Sequence, residues 1–548
     1  CVFSILLLTI AHADTFIVNE ELGLTAAINA ANALPGKDTI LFDNSEWYPV
    51  PYPGDPEYYI IDTLVITDDI EIINDDNRLM PRIVPWGDLD LRIMLIGPGI
   101  MVSLRRIGIW FGVSDKGAGL YVGSGAVVDL EGCYIENCRA FYIGGGVYNE
   151  GGTVIIRNSD VAFCSAGDKG GGIYNNGGVV NIYSENKDYP GSLVMGNRAG
   201  ARGGNIYING GSVTIKESWL SSRNGAQVGA AIYLSSGNLQ VSRCTFSQGY
   251  PCVSGGGLFI AGGHASVVNS TFCQNQVTES GGGIAVQGGV AEVINCTFTE
   301  NQAGSEEASG GGAGIYVYPD GDGICRIGNT IVAGNTAIGG SSPDVLGPFE
   351  SLGHNLIGVV NGALGFGAEG DLFGSMLQPL DARLDRRSEI GYYVGYEYPL
   401  LHGSPALNAG DNGLIRSPWF EEEPFVDIAG RPRIVHTRVD IGSSEAQYTG
   451  YHKADYRPNF SICLSELLRV IQFYNSGGFH CAEVPESTED GYVPGPGATD
   501  VCPPHHSDYN PQDWSIDLSE LLRLVQFYNT GIYYPCSGSE DGFCPGVA

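Results

Sequence analysis

Through the middle of the chain, apolar residues fall at every second position in short runs, and each run closes on glycine, asparagine or serine. The segments GGVYNEGGTVIIRNS, GGNIYINGGSVTIKES and AAIYLSSGNLQVSRC share this form. Alternation of this kind is the period of a half-buried strand, and the polar closures mark turns. The first apolar positions after the glycine clusters are Val147, Ile173, Ile206, Ile232, Leu258, Ile284 and Ile315, at steps of 26, 33, 26, 26, 26 and 31. Phe246, Phe272 and Phe298 repeat at 26 and 26, with Leu220 one step earlier, and Cys244, Ser270 and Cys296 form a third series. Three series on one period predict a repeat protein. Two or three short strands in each repeat, with no helical stretch, predict coils of a parallel β-solenoid. The L-x-x-L-x-L-x-x-N frame of leucine-rich repeats and the G-G-x-G-x-D calcium nonapeptide are both absent.

In such a solenoid each coil lies about 4.8 Å above the last, so equivalent side chains stack. Stacked Phe, Ile and Cys are expected to fill the interior. Glycine triplets are expected at corners where a Cβ has no room. Asn269, Asn295, Asn275 and Asn301 are expected at turns, where asparagine tolerates the left-handed conformation and can bond to a neighbouring coil. Cys244, Cys273 and Cys296 are expected in the core or its turns, outside disulfides.

Composition sharpens this. The chain has 548 residues, 81 Gly, 28 Lys+Arg against 61 Asp+Glu, and a formal charge of −33. That charge opposes nucleic-acid binding, which demands a basic surface, and suits an exported protein or one that binds cations. With 43% hydrophobic residues, disorder of the whole chain is excluded. VFSILLLTIAHA, ending Ala11-His12-Ala13, has the form of a secretory leader over residues 1–13, with a mature start near Asp14. There is no initiator Met or basic n-region, so residues before Cys1 are expected. No other run is long and apolar enough for a membrane span, so an integral membrane protein is not expected. The 14 Cys show no paired C-x-x-C set, which argues against structural zinc.

The GG[GA]I element followed by F-x-x-N (Phe272-Cys273-Gln274-Asn275, Phe298-Thr299-Glu300-Asn301) resembles the repeat of chlamydial polymorphic outer-membrane proteins and related right-handed parallel β-helix proteins. LTAAINAANALPGKDTILFD, residues 24–43, resembles the N-terminal cap of that group, a short amphipathic helix entering the first coil. SLGHNLIG, LLHGSPALNAGD and DIAGRPRIVHTRVDIGSSE resemble the closing segment of choice-of-anchor β-helix proteins. The resemblance implies an all-β, right-handed parallel β-helix over residues 14–445, secreted or on a bacterial cell surface.

Residues 446–548 differ. ADYRPNFSICLSELLRVIQFYNSGGFHC and SDYNPQDWSIDLSELLRLVQFYNTGIYYPC are two copies of one unit, with Glu466 and Glu520 at matching places. Each has an acidic loop and then an amphipathic helix, with Leu464, Leu467, Leu468 and Ile471, or Leu518, Leu521, Leu522 and Val525, expected on the apolar face. Calcium takes six to eight hard oxygens, supplied in an EF-type loop at alternate positions and by a closing Glu. Asp455, Asn459, Ser461 and Glu466 fit positions 1, 5, 7 and 12, while Arg457, Cys463 and Phe460 depart from the pattern. The second loop is one residue longer and offers Asp508, Asn510, Asp513, Ser515, Asp517 and Glu520. The same stretches also read as helix N-caps centred on Ser465 or Ser519. DYNPQDWSIDLSELLRLVQ resembles a dockerin, a calcium-folded module that docks into a partner protein. Cys481 and Cys536 stand at equivalent places and can pair with each other or with Cys502 and Cys544.

A catalytic wall would carry acids at one strand position on neighbouring coils. Asp129, Asp160 and Glu217 lie at outward positions but make no clean set on the repeat period. Asp68-Asp69, Asp75-Asp76, Asp320 and Asp322 read as turns, and His264 and His354 have no evident partner. No catalytic residue is assigned. The favoured reading is a non-catalytic surface or matrix protein that displays a binding face, open to polysaccharide, and anchors or docks to a protein partner through its tail. The alternative is a secreted polysaccharide-degrading enzyme, either a pectate-lyase-like lyase or a glycoside hydrolase. A hydrolase would need two carboxylates flanking a sugar linkage.

Overall fold

The computed structural model describes residues 13–18, 23–42, 56–76, 79–184, 192–223, 225–250, 252–306, 309–340, 342–390, 395–401, 404–416, 425–435, 438–447, 451–457, 459–482, 488–497, 502, 504–536, 539 and 541–546. All of the expected leader except Ala13 lies outside them. Helix α1, Leu24–Ala31, turns Leu24, Ala27, Ile28 and Ala31 into the core, and the strand after it, Asp38–Phe42, pairs with Thr15–Val18.

The alternating segments build a parallel β-helix of about 12 turns. In one coil the strands are Val147–Asn149, Thr153–Arg157, Asp160–Ala162 and Ser165–Ala166. The fourth strand is too short for alternation to reveal. All seven members of the first predicted series are register partners in neighbouring coils, and Met94 and Leu120 extend the ladder below them. The step of 33 is absorbed between Tyr183 and Leu193, since the strands on either side keep their partners.

Inside, Phe246, Phe272 and Phe298 stack nearly parallel with centroids 4.4 and 4.6 Å apart. Outside the first strand, Tyr148, Tyr174, Tyr207, Tyr233 and Phe259 form a second, buried stack. Cys244, Cys273 and Cys296 are buried and outside any disulfide.

The four expected turn asparagines divide the work between two corners. Asn269 and Asn295 adopt positive φ at the corner after the second strand. Asn275 and Asn301 do not. They sit buried at the next corner, where Asn275 Nδ2 donates to Asn301 Oδ1 (2.9 Å) and Asn301 Nδ2 to Asn335 Oδ1 (2.9 Å). The Cys244, Ser270, Cys296 series follows the first corner, and its thiols and hydroxyls face the coil below. Cys244 N–H donates to Ser270 Oγ (3.1 Å), and the Cys296 thiol donates to the Val267 carbonyl. A ladder of this kind satisfies polar groups that burial would otherwise leave unpaired.

By compactness the chain divides into residues 1–380 with 388–397, and residues 381–387 with 398–548. The closing segment after Tyr398 thus groups with the tail. Within the first unit the hairpin Ser388–Ile390 with Gly395–Glu397 covers the outer face of the third strands. There Tyr396 packs on Trp219 and exchanges hydrogen bonds with Thr245.

Candidate functional site

On the early and the late coils, outward side chains of the second strands carry charges that face one another. Arg105 bridges Glu71 (3.9 Å) and Glu131 (3.1 Å), and Arg157 Nε meets Asp129 Oδ1 at 3.0 Å. Further along, Glu292 pairs with His264 (3.4 Å) and with Arg326 (3.3 Å), which reaches Glu350 (2.9 Å). At the left-handed corner after the second strands, Glu217 pairs with Arg243. Asp129, Glu217 and His264 are therefore members of cross-coil charge ladders. His354 takes positive φ one register step on from Asn329, so it serves as a corner residue. Asp320 and Asp322 stand exposed in the turn before Ile324–Gly328. Asp69 Oδ1 accepts the Met101 N–H (2.7 Å).

Asp160 is the exception. It lies on the outer side of a third strand, unlike its neighbour Val161, which is in the core. Burial pushes its carboxyl up to about 7 even though Leu193 N–H donates to it (3.1 Å). Glu136 is one coil below and two positions along, and it is also raised, again chiefly by burial. Three solenoid acids are shifted by the fold among the described residues: Asp160, Glu136 and the corner acid Asp344, which the Asn335 ladder occupies.

In the tail, α2 (Leu464–Asn475) and α3 (Leu518–Thr530) follow the two acidic loops, and each begins with a reciprocal cap. The capping residues are Cys463 and Asp517, which corrects the expectation of Ser465 and Ser519. Glu466 Oε2 accepts the Cys463 N–H (2.8 Å), and Glu520 Oε2 accepts the Asp517 N–H (2.9 Å).

The loops bring the first and last predicted acids together. Asp455 accepts the N–H groups of Asn459 and Phe460 and the hydroxyl of Tyr533 (2.7 Å), while Asp508 accepts those of Asp513 and Trp514. Glu466 reaches the Arg457 N–H, and Glu520 those of Tyr509 and Asn510. Asp455, Glu466, Asp508 and Glu520 are all buried. Burial, with the facing glutamate adding to it, raises Asp455 well above the usual carboxylate range and pushes Asp508 up to about 6. No basic side chain pairs with any of the four among the described residues.

The remaining predicted ligands stay with their own turns. Asn459 Oδ1 takes the Ser461 N–H, Asp513 takes Ser515, and Asp517 takes the Ser519 hydroxyl. Phe460 (φ 60°) and Trp514 (φ 63°) hold the left-handed position where the sequence lacks glycine. The left-handed turn of a calcium loop is thus present, and the expected donor set is met only in part. Each loop supplies two facing carboxylates, and no group of three His, Cys, Asp or Glu converges among the described residues.

The two units clasp each other. Phe479 N–H donates to the Trp514 carbonyl, and Tyr533 N–H donates to that of Phe460, both at 3.0 Å. Arg469 pairs with Asp490, and Arg523 with Asp541. Of the pairings left open, the structure has Cys481–Cys502 and Cys536–Cys544.

The helices bury Leu467, Val470 and Phe473, and Leu524 and Phe527. Leu464, Leu468, Leu518 and Leu522, expected on the buried face, are instead about half exposed. The buried side of each helix is completed by Glu466 or Glu520, which fold back to cap. The Leu464–Leu468–Ile471 and Leu518–Leu522–Val525 rows are thus left on the outside.

No protein-family model matches the chain, and no match is found among curated proteins or solved structures. No helix among the described residues is long and apolar enough to cross a membrane.

Proposed function

We propose that the chain is an exported or cell-surface display protein, a non-catalytic β-helix wall with a C-terminal module that docks to a protein partner. The duplicated apolar stripe carries this reading. A contiguous apolar row left exposed on a helix marks a contact face, and here the same row recurs on both helices. Reciprocal packing of the two copies presents the stripes as two equivalent faces. The paired ladders on the second strands support a wall whose charges are spent on stacking its coils.

The loops are proposed calcium sites, supported by two buried, mutually repelling carboxylates in each. Asp455, Glu466, Asp508 and Glu520 would hold the ion, with Asn459, Ser461, Asn510, Asp513, Ser515 and Asp517 near enough in sequence to complete the shell.

The equivalence of the faces sets the test. Immobilised full chain is expected to retain a protein from the extracellular fraction of its producing cells. Leu468→Asp and Leu522→Asp singly should keep that capture, and the double variant should lose it. Undiminished capture by a correctly folded double variant would show that the stripes do not dock.

The enzyme reading is kept for one observation, the perturbed Glu136 and Asp160 pair. A carboxyl held protonated near neutral pH beside a second acid is what general acid catalysis would employ, with the second acid ionised.

A further inference from the structure

The corner between the third and fourth strands demands a left-handed residue in coil after coil. Most coils supply glycine, asparagine or a polar side chain that bonds across coils: Asn137, Gly196, Gln248, Gln274, Glu300 and Gly334. Two coils place phenylalanine there, Phe111 (φ 58°) and Phe163 (φ 55°). A bulky residue at positive φ is an outlier, with strain on the order of 1–3 kcal/mol. Burial does not offset it, because Phe111 is 50% exposed and Phe163 53%. Strain kept without burial points to a use for the exposed ring.

Phe111 lines a groove of 970 Å³ over the early coils, together with Tyr59, Trp86, Asp88, Asp90 and Arg139. Tyr59 is 52% and Trp86 60% exposed, and their rings meet edge to face at 5.2 Å, so ring faces stay open to solvent. The volume lies at the upper end of small-molecule sites, about 300–1,000 Å³. Phe163 sits two coils above Phe111, roughly 10 Å along the axis, and continues the row beyond the groove.

We infer that this groove binds a neutral oligosaccharide segment of a longer glycan chain. Open aromatic faces take the C–H faces of pyranose rings, and planar polar groups between them take hydroxyls. Asp88, Asp90 and the nearby Glu57 accept hydrogen bonds, Arg139 donates them, and Asn137 does both. Three carboxylates against one guanidinium repel a polyanionic chain, so the class is neutral. A groove that runs across coils suits a linear polymer. This inference deepens the reading of the solenoid as a display wall and makes no use of the tail.

The test is affinity electrophoresis of the full chain in gels containing soluble β-glucan, glucomannan or xylan, with polygalacturonate as the anionic comparison. Retardation is expected in at least one neutral glycan and not in polygalacturonate. Trp86→Ala should weaken it about tenfold, as loss of an aromatic anchor does. Phe111→Asn installs the residue used at the same corner one coil later. It should weaken binding comparably while leaving the unfolding midpoint equal or higher, because it relieves strain. A purely structural Phe111 would give the reverse, lower stability and unchanged binding. Migration unaffected by any neutral glycan, retardation only by polygalacturonate, or variants that bind as tightly as the parent would each overturn the proposal. Docking through Leu468 and Leu522 is read separately, so failure here leaves that reading standing.

Discussion

Replacing Phe272 with alanine is expected to lower the free energy of unfolding by about 3–5 kcal/mol. The ring is fully buried and held between Phe246 and Phe298 at 4.4 and 4.6 Å. Gly257 lies against it so closely that an added Cβ would stand 2.7 Å from the ring. The surroundings cannot collapse into the space, because backbone ladders above and below fix each coil. A solenoid also distributes its stability through contacts between neighbouring coils. Weakening one interface in mid-stack is therefore expected to broaden or split the transition. Denaturant unfolding followed by circular dichroism measures both effects. A loss below about 1 kcal/mol, ordinary for surface sites, would show that the phenylalanine stack is not the core.

The second large effect is expected from calcium. Each loop buries two carboxylates against each other with no basic partner among the described residues, which is costly unless a proton or a cation intervenes. A cation that binds only the folded loop stabilises it by about 2.7 kcal/mol at a hundredfold excess over its dissociation constant. Calcium is thus expected to raise the unfolding midpoint of the α2–α3 region in the full chain. Asp508→Asn with Glu520→Gln should remove the share of the second loop.

The pH dependence follows from Asp508, which the fold pushes up to about 6. Below that pH the folded loop already holds a proton that calcium must displace, so the gain should shrink from pH 7.5 towards pH 5. Equal midpoints in chelator and in millimolar calcium at pH 7.5 would refute the proposal.

The repeat was legible because stacking imposes the same chemistry on every coil. Val147 to Ile315, and Leu220 to Phe298, could be counted without knowing any contact. What resisted reading was position within the coil. Asn269 and Asn275 look alike as turn residues, yet one supplies positive φ and the other a cross-coil amide bond. Periodicity also could not choose between the two sides of α2. Leu464 and Leu468 make as good an apolar row as Leu467, Val470 and Phe473. The choice was made by Glu466, which turns inward to cap.

The groove left a weaker trace. Phe111, Asn137 and Phe163 recur at the coil period and share one corner, but nothing marks that corner as left-handed until the register is known. Asp160 reads as outward from the strand alternation. Its perturbation comes from burial, which alternation does not report.

On the proposed reading the wall displays a glycan-binding surface and does not cut. Full-length protein incubated with pectate, xylan and β-glucan, with calcium present, tests it when ultraviolet-absorbing unsaturated products and new reducing ends are followed together. Neither product is expected above the level of protein-free controls. Product formation that disappears in both Glu136→Gln and Asp160→Asn would contradict that reading and make the face of the third strands an active site.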